Sequence, residues 1–244
     1  MGKRIRVQRR GRGTSVFRAS SHKRVAPVKY PSMGPNEQKE VTQGKVKDII
    51  HEPGRGAPMV AVKLETGETY YSVVPEGVYE GQPTQIGDKA SIEIGNVIPI
   101  GKIPEGTMIC NIELSPGDGG KLVRSSGAYA TIVTHTPDGT IVKLPSRKNK
   151  YIHDLCRATI GIVSGAGRIE KPFLKAGSKF HLMKAKGHLY PRTRGIAMIA
   201  ACHPYGSSNK GGRKVTTVSR NAPPGKKVGL IAARSAGRGR RKRR

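Results

Sequence analysis

The chain has 244 residues, with 45 Lys+Arg against 16 Asp+Glu and a formal net charge of +29. Its three cysteines, Cys110, Cys156 and Cys202, are far apart, odd in number and lack a CxxC pair, which excludes a disulfide-stapled secreted domain. No apolar run approaches the ~20 residues that span a bilayer, and a field of this sign attracts any polyanion.

The charge is partitioned along the chain. All 16 acids lie between Glu37 and Glu170. Residues 1–36 carry 10 Lys+Arg and residues 171–244 carry 20, with no acid in either. The middle holds 15 basic residues against its 16 acids and is almost neutral. This predicts a folded centre between cationic arms that bind nucleic acid.

Residues 1–36 are basic, rich in Gly, Ser and Pro, and without apolar period. Arg9-Arg10-Gly11-Arg12-Gly13 reads as too flexible for a helix and too charged for a core, ordering only on a partner. The N-terminus lacks the apolar stretch of a signal peptide and the Ser/Thr that myristoylation requires at position 6, so the expected location is intracellular.

From Glu37 short strands begin. Residues 44–50 read as one strand and 51–58 as a Pro/Gly loop. Residues 59–64 alternate, with Val60, Val62 and Leu64 on one face, then turn at 65–68 into a returning strand at 69–74. Residues 85–94 read as a turn and another strand, followed by 97–100. A second cluster comprises strands at 107–114, 129–135, 140–144 and 159–163, with a hairpin signal at Pro137-Asp138-Gly139. Residues 172–176 read as one helical turn stopped by Gly177. The middle is all-β, most simply two small barrels, and no repeat relates them. Regular pattern is lost after about Tyr190, apart from an apolar island at 226–234.

The acid-free stretch 192–213 is the candidate functional loop. Within it Cys202-His203 is the one pair that invites a nucleophilic reading. Neighbours in extended chain point to opposite sides, and no acid lies nearby to orient the imidazole, so His203 reads as a phosphate or base contact. His153-Asp154 reads as a turn pair, and Glu65 and Glu68 as turn residues. There is no P-loop motif, and the glycine-rich run 206–212 neither follows a strand nor opens a helix. No metal ligand set, cofactor motif or small-molecule site emerges, and the chain reads as not an enzyme. Three Phe, eight Tyr and no Trp are few for stacking, so recognition is expected to rest on phosphates and shape.

The expected RNA contacts follow from position. The first arm contributes Arg4, Arg9, Arg10, Arg12, Arg18, Lys23 and Arg24. Turns of the barrels contribute Arg55, Lys121, Arg124, Arg147 and Lys148. The loop contributes Arg192, Arg194, His203, Lys210 and Arg213, and the last arm Arg238, Arg240, Arg241, Lys242, Arg243 and Arg244.

Several motifs occur in one order: Gly-Lys-Val-Lys-Asp-Ile-Ile-His-Glu-Pro-Gly-Arg-Gly at 44–56, Ile-Gly-Asn-Val-Ile-Pro at 94–99, Pro-Glu-Gly-Thr at 104–107, Pro-Gly-Asp-Gly-Gly-Lys-Leu-Val-Arg at 116–124 and Lys-Lys-Val-Gly-Leu-Ile-Ala at 226–232. Together they resemble the universal large-subunit ribosomal protein two family in its archaeal and eukaryotic form. The resemblance implies a basic N-terminal extension (1–36), an OB-fold RNA-binding domain (37–111), an SH3-like barrel (112–190) and a basic C-terminal loop and tail (191–244). It implies a structural constituent of the large ribosomal subunit, cytoplasmic, that binds large-subunit rRNA as a primary binder. Roles in assembly, subunit association, tRNA binding and the architecture of the peptidyl-transferase centre follow from it. So do contacts with small-subunit rRNA at the subunit interface and with neighbouring ribosomal proteins, without membrane or small-molecule substrate. The alternatives are a general nucleic-acid-compacting basic protein and His-assisted acyl transfer. The loop departs from the family's usual pattern, Ala-Met-Asn-Pro-Val-acid-His-Pro, an aromatic or His, then three glycines. Cys202 stands where the acid precedes the His, and Ser207 and Ser208 replace two glycines.

Overall fold

Short apolar runs separated by Gly and Pro favour strands over helices, and ten strands form within Ser21–Leu174, the larger of two units. The computed structural model describes residues 3–32, 41–206 and 217–233. The second unit comprises Met1–Ser20 and Lys175–Arg244. Residues 175–190, placed with the second barrel by sequence, cluster with this terminal unit. Among the described residues no helix is long and apolar enough to cross a membrane.

In the larger unit β1 (Thr42–Ile50) pairs antiparallel with β2 (Met59–Leu64), which turns into β3 (Thr69–Val73). β4 (Pro83–Ile86) adds to the other side of β1 and meets β5 (Val97–Pro99) in parallel. The remaining strands are β6 (Met108–Cys110), β7 (Ala130–Thr136), β8 (Gly139–Lys143), β9 (Asn149–Ile152) and β10 (Arg157–Ile160). The hydrogen-bonded order is β3-β2-β1-β4-β5-β10-β6-β7-β8-β9, a continuous sheet in which β10 joins β5 to β6.

Three apolar clusters fill it. Val46, Val60, Val62, Leu64, Ile86 and Val97 form one, and a run from Ile98 through Ile132 to Ile160 forms a second. A third, with Met59, Val73, Cys110 and Val163, holds residues from both stretches. The all-β fold with two barrel-like cores is therefore as expected, and burial of each such Val or Ile contributes ~1.5–3 kcal/mol. β2 is buried on both faces, Met59 and Ala61 as well as Val60 and Val62.

Three local expectations are corrected. Residues 90–94 form no strand, because side chains claim their backbone: Ser91 N donates to Gln85 Oε1 (2.8 Å), and Asn96 Nδ2 donates to Ser91 O (2.9 Å). β9 carries no apolar signal in the sequence, since Ile152 alone of its four residues is buried. Residues 25–31, counted with the basic arm, belong to the larger unit: Val28 and Tyr30 are buried, and Lys29 N donates to Tyr71 O (2.9 Å).

That strap ends at a buried polar hub. Tyr30 donates to the Asn111 carbonyl (2.8 Å). The Arg157 guanidinium lies over its ring, 5.4 Å from the centroid, and donates to Pro31 O (3.0 Å). Arg157 Nη2 meets Glu113 Oε1 at 2.8 Å, with Glu113 fully buried. Glu113 also accepts the backbone N–H groups of Gly119 (2.9 Å), Gly117 (3.4 Å) and Arg157 (2.8 Å). A buried charge is tolerable only when paired and hydrogen-bonded in this way.

The terminal unit contains α1 (Arg6–Gly11), α2 (Ala176–Ala185) and the parallel pair β11 (Thr217–Val218) and β12 (Leu230–Ile231). α1 overturns the expectation of a non-helical first arm. Ile5 anchors its start by packing with Tyr205 and Val228, and Ile5 N donates to Gln8 Oε1 (3.0 Å). Arg9 and Arg10 then face the carbonyl end, where cations are favoured. α2 begins where one turn was expected to stop. Gly177 falls in its first turn, where N–H groups have no intrahelical acceptor in any case, and Leu182, Met183, Lys184 and Ala185, strong helix formers, carry its second half.

Candidate nucleic-acid interface

In the terminal unit a basic cavity of about 420 Å³ is built from three stretches. α1 contributes Arg6 and Arg10, four residues apart and therefore on one face. The loop contributes Arg192, Arg194, Ile196 and Met198, together with His203 and Tyr205. Residues 228–230 complete the wall. The loop residues are held by the small core of Ile5, Tyr205 and Val228, and Tyr205 OH donates to Val228 O (2.9 Å).

No acid belongs to this unit, since every acid lies between Glu37 and Glu170. Its guanidinium groups therefore have no counter-charge within the unit. Burial, then Arg192, Arg9 and Arg10, hold Arg6 below its ordinary pKa. Arg6 Nη1 donates to Thr193 O (3.3 Å), while its Nε is buried without a hydrogen-bond partner among the described residues. Arg6 was not among the sequence-predicted contacts. Its spacing to Arg10 is the signal that would have found it, once a helix at 6–11 is admitted.

The Cys202-His203 pair sits in a turn and not in extended chain. Both backbone N–H groups donate to Ile199 O, at 3.0 and 3.2 Å. His203 Nδ1 accepts the N–H of Tyr205 (3.1 Å), which places the imidazole proton on Nε2. Burial and then Arg6 depress its pKa, so the ring is neutral at neutral pH. The ring lies so close to Gly195 that a Cβ there would collide with it, and a Cβ at Gly206 would strike the backbone of Ile199. With Nδ1 engaged and no Asp or Glu in the unit, the described residues offer no nucleophile–base–orienter set around His203.

A second basic patch lies on the larger unit. Arg24 approaches the fully buried Glu52 (3.9 Å), whose Oε2 accepts Val25 N–H (3.0 Å). Arg55 is half-buried beside them with its Nε unpartnered among the described residues, and burial lowers its pKa. Burial and then Arg55 lower that of Arg124. The Arg124 guanidinium donates to Gly120 O (2.8 Å) and Val28 O (2.9 Å), so it pins the strap to the 120–124 turn. Arg168, not anticipated from sequence, covers Gly56 and donates to Ser126 Oγ (2.9 Å).

The other expected contacts are dispersed. Lys121 pairs with Asp118 at 3.3 Å and stays largely exposed. Arg147 and Lys148 are exposed in the β8–β9 turn, with Arg147 at φ 63°. Arg4, Arg9, Arg12, Arg18 and Lys23 are exposed, as are Arg10, Arg192 and Arg194 where they line the cavity. Lys210, Arg213, Ser207, Ser208 and Arg238, Arg240, Arg241, Lys242, Arg243 and Arg244 lie outside the described residues. His153 Nδ1 accepts Leu155 N–H (3.2 Å) and Asp154 accepts Thr140 Oγ–H (2.6 Å), so that pair is structural.

Comparison with known proteins adds a family. Residues 1–85 match the model described as Ribosomal Proteins L2, RNA binding N-terminal domain, and residues 93–228 match Ribosomal Proteins L2, C-terminal domain. The chain is 51% identical to the large ribosomal subunit protein uL2 of Korarchaeum cryptofilum over 243 residues, covering 99% of this chain and 98% of that one. It is 54% identical to the protein of that name from Methanocaldococcus jannaschii, covering 97% and 99%. The identity to the Haloarcula marismortui protein is 50%, covering 98% and 99%. With the motif order, the all-β core and the acid-free terminal unit in agreement, the chain belongs to the ribosomal protein L2 family.

Proposed function

We propose that the chain works as a structural constituent of the large ribosomal subunit, binding large-subunit rRNA in the cytoplasm. The observation that carries this reading is the terminal unit, where Arg6, Arg10, Arg192 and Arg194 line one cavity with no acid in the unit. Such a cluster is unfavourable in isolation and is neutralised by phosphate. The relatives' shared name, large ribosomal subunit protein, fits the same partner.

Function divides along the chain between two basic extensions that follow the RNA and two barrels between them. The contacts are the tail, loop and turn cations already named, except Arg24 and Arg124, whose side chains are engaged within the fold, joined by Arg6 and Arg168. From this placement the protein supports subunit assembly and association, tRNA binding and the architecture around the peptidyl-transferase centre. It also touches small-subunit rRNA at the interface and neighbouring ribosomal proteins. The family is a structural one, and bond formation is left to RNA.

The test is sedimentation of cell extract at moderate salt, followed by detection of this chain. It is expected in the large-subunit fraction, and recovery mainly as free protein refutes the reading.

A further inference from the structure

The basic cavity has a shape that phosphate binding does not require. Duplex backbone is neutralised by cations on an open surface. Here the cations rim a concavity whose other lining is largely apolar, with Val7, Ile196, Met198 and Leu230 beside the His203 ring. Its volume, about 420 Å³, lies within the ~300–1,000 Å³ range of small-ligand sites. A bare anion leaves the apolar wall unused, and an apolar ligand leaves the arginines unneutralised. An anion attached to a flat, mostly apolar ring uses both.

The cavity is also pre-formed. Gly195 and Gly206 allow backbone and ring approaches that a Cβ would block. Tyr205 is fixed by its bond to Val228 O, and the His203 ring by the Tyr205 N–H. Nε2 of that ring is then a donor, as a base edge requires.

We propose that this cavity receives one unstacked nucleotide of the bound RNA, its phosphates on Arg6 and Arg192 and its base against Ile196, Met198 and the His203 ring. The proposal rests on the rRNA-binding reading and adds a base contact to an interface otherwise made of phosphate contacts. RNA-binding proteins capture splayed-out bases in this manner, whereas paired bases in an A-form helix offer no such handle.

The test uses the full chain with protein-free large-subunit rRNA. Val7→Trp and Leu230→Trp add bulk at two exposed lining positions, without changing charge or the small core. Loss of one base–ring contact is expected to weaken binding roughly 5- to 150-fold. The salt slope should fall by no more than about two, the share of Arg6 and Arg192, because every other phosphate contact is kept. Ultraviolet crosslinking of the wild-type complex should join a single unpaired nucleotide to a cavity residue, and both variants should lose that adduct. Unchanged affinity and an unchanged crosslink map in both variants overturn the pocket while leaving rRNA binding intact. If the wild-type chain binds large-subunit rRNA no better than duplex DNA, the rRNA reading and the pocket fall together.

Discussion

Replacing Glu113 by Leu removes the acceptor around which the centre of the larger unit is assembled. Three backbone N–H groups, of Gly117, Gly119 and Arg157, lose their partner. The Arg157 guanidinium keeps only Pro31 O and the Tyr30 face. Breaking one side of a buried pair costs ~3–5 kcal/mol, and the stranded donors place this variant at the upper end, about 5 kcal/mol. Arg157→Leu is milder, about 3 kcal/mol, because Glu113 retains its three backbone donors. The double variant holds no buried charge. It is expected to lose about 4 kcal/mol, roughly half the sum of the singles, from unpaired backbone groups. Urea unfolding of the purified chain, followed by circular dichroism, measures all three. Melting temperatures should fall by ~2–4 °C per kcal/mol for a chain of this size. Additive losses in the double variant, or a Glu113→Leu loss below about 1 kcal/mol, would refute the hub.

Three further outcomes are expected. Removing Arg192 or Arg194 as Gln should lower the slope of log affinity for large-subunit rRNA against log salt by about one each; unchanged slopes in filter binding would place both outside the interface. A thiol reagent at about pH 8 should label Cys202 quickly in the native chain. Cys110 and Cys156, pushed by burial to about 12 and about 11, should react only on unfolding. Their raised folded-state values add stability that is present below the free-thiol range near 8.5 and lost as pH rises above it. His203 should titrate below about 6.5 by nuclear magnetic resonance, since burial and Arg6 lower its pKa. The unfolded chain then takes the proton first as pH falls, so the loop's stability is present above about 6.5 and lost on acidification. Titration of His203 above 6.5 would contradict its placement.

The barrels were legible because their signal is local. The alternation of β2 and the turn residues before β3 and β8 state those strands directly. What stayed hidden depends on distant partners. β9 carries a single buried residue and exists through its pairing with β8. Val28 and Tyr30 stand in a stretch that reads as solvated, and their burial requires Tyr71, Asn111 and Arg157 from three separate strands or turns. α1 likewise depends on Ile5 finding Tyr205 and Val228, 200 or more residues away in sequence. Cys202 and His203 read as extended neighbours because nothing local announces the shared carbonyl of Ile199.

Charge shows the same division in another form. The count of +29 is a sum over cations with opposite duties. Arg157 is consumed inside the sheet by Glu113, Arg124 by two backbone carbonyls, and Arg24 by Glu52. Substituting these three should weaken RNA binding mainly through loss of fold, and it should alter stability in the absence of RNA. Arg6, Arg10, Arg192 and Arg194 belong to a unit with no acid, so like-charge repulsion there is relieved only from outside. Substituting these four by Gln should leave the free protein as stable or more stable while weakening the complex. Opposite signs of stability change between the two sets would therefore separate structural arginines from interfacial ones, a distinction that composition alone does not make.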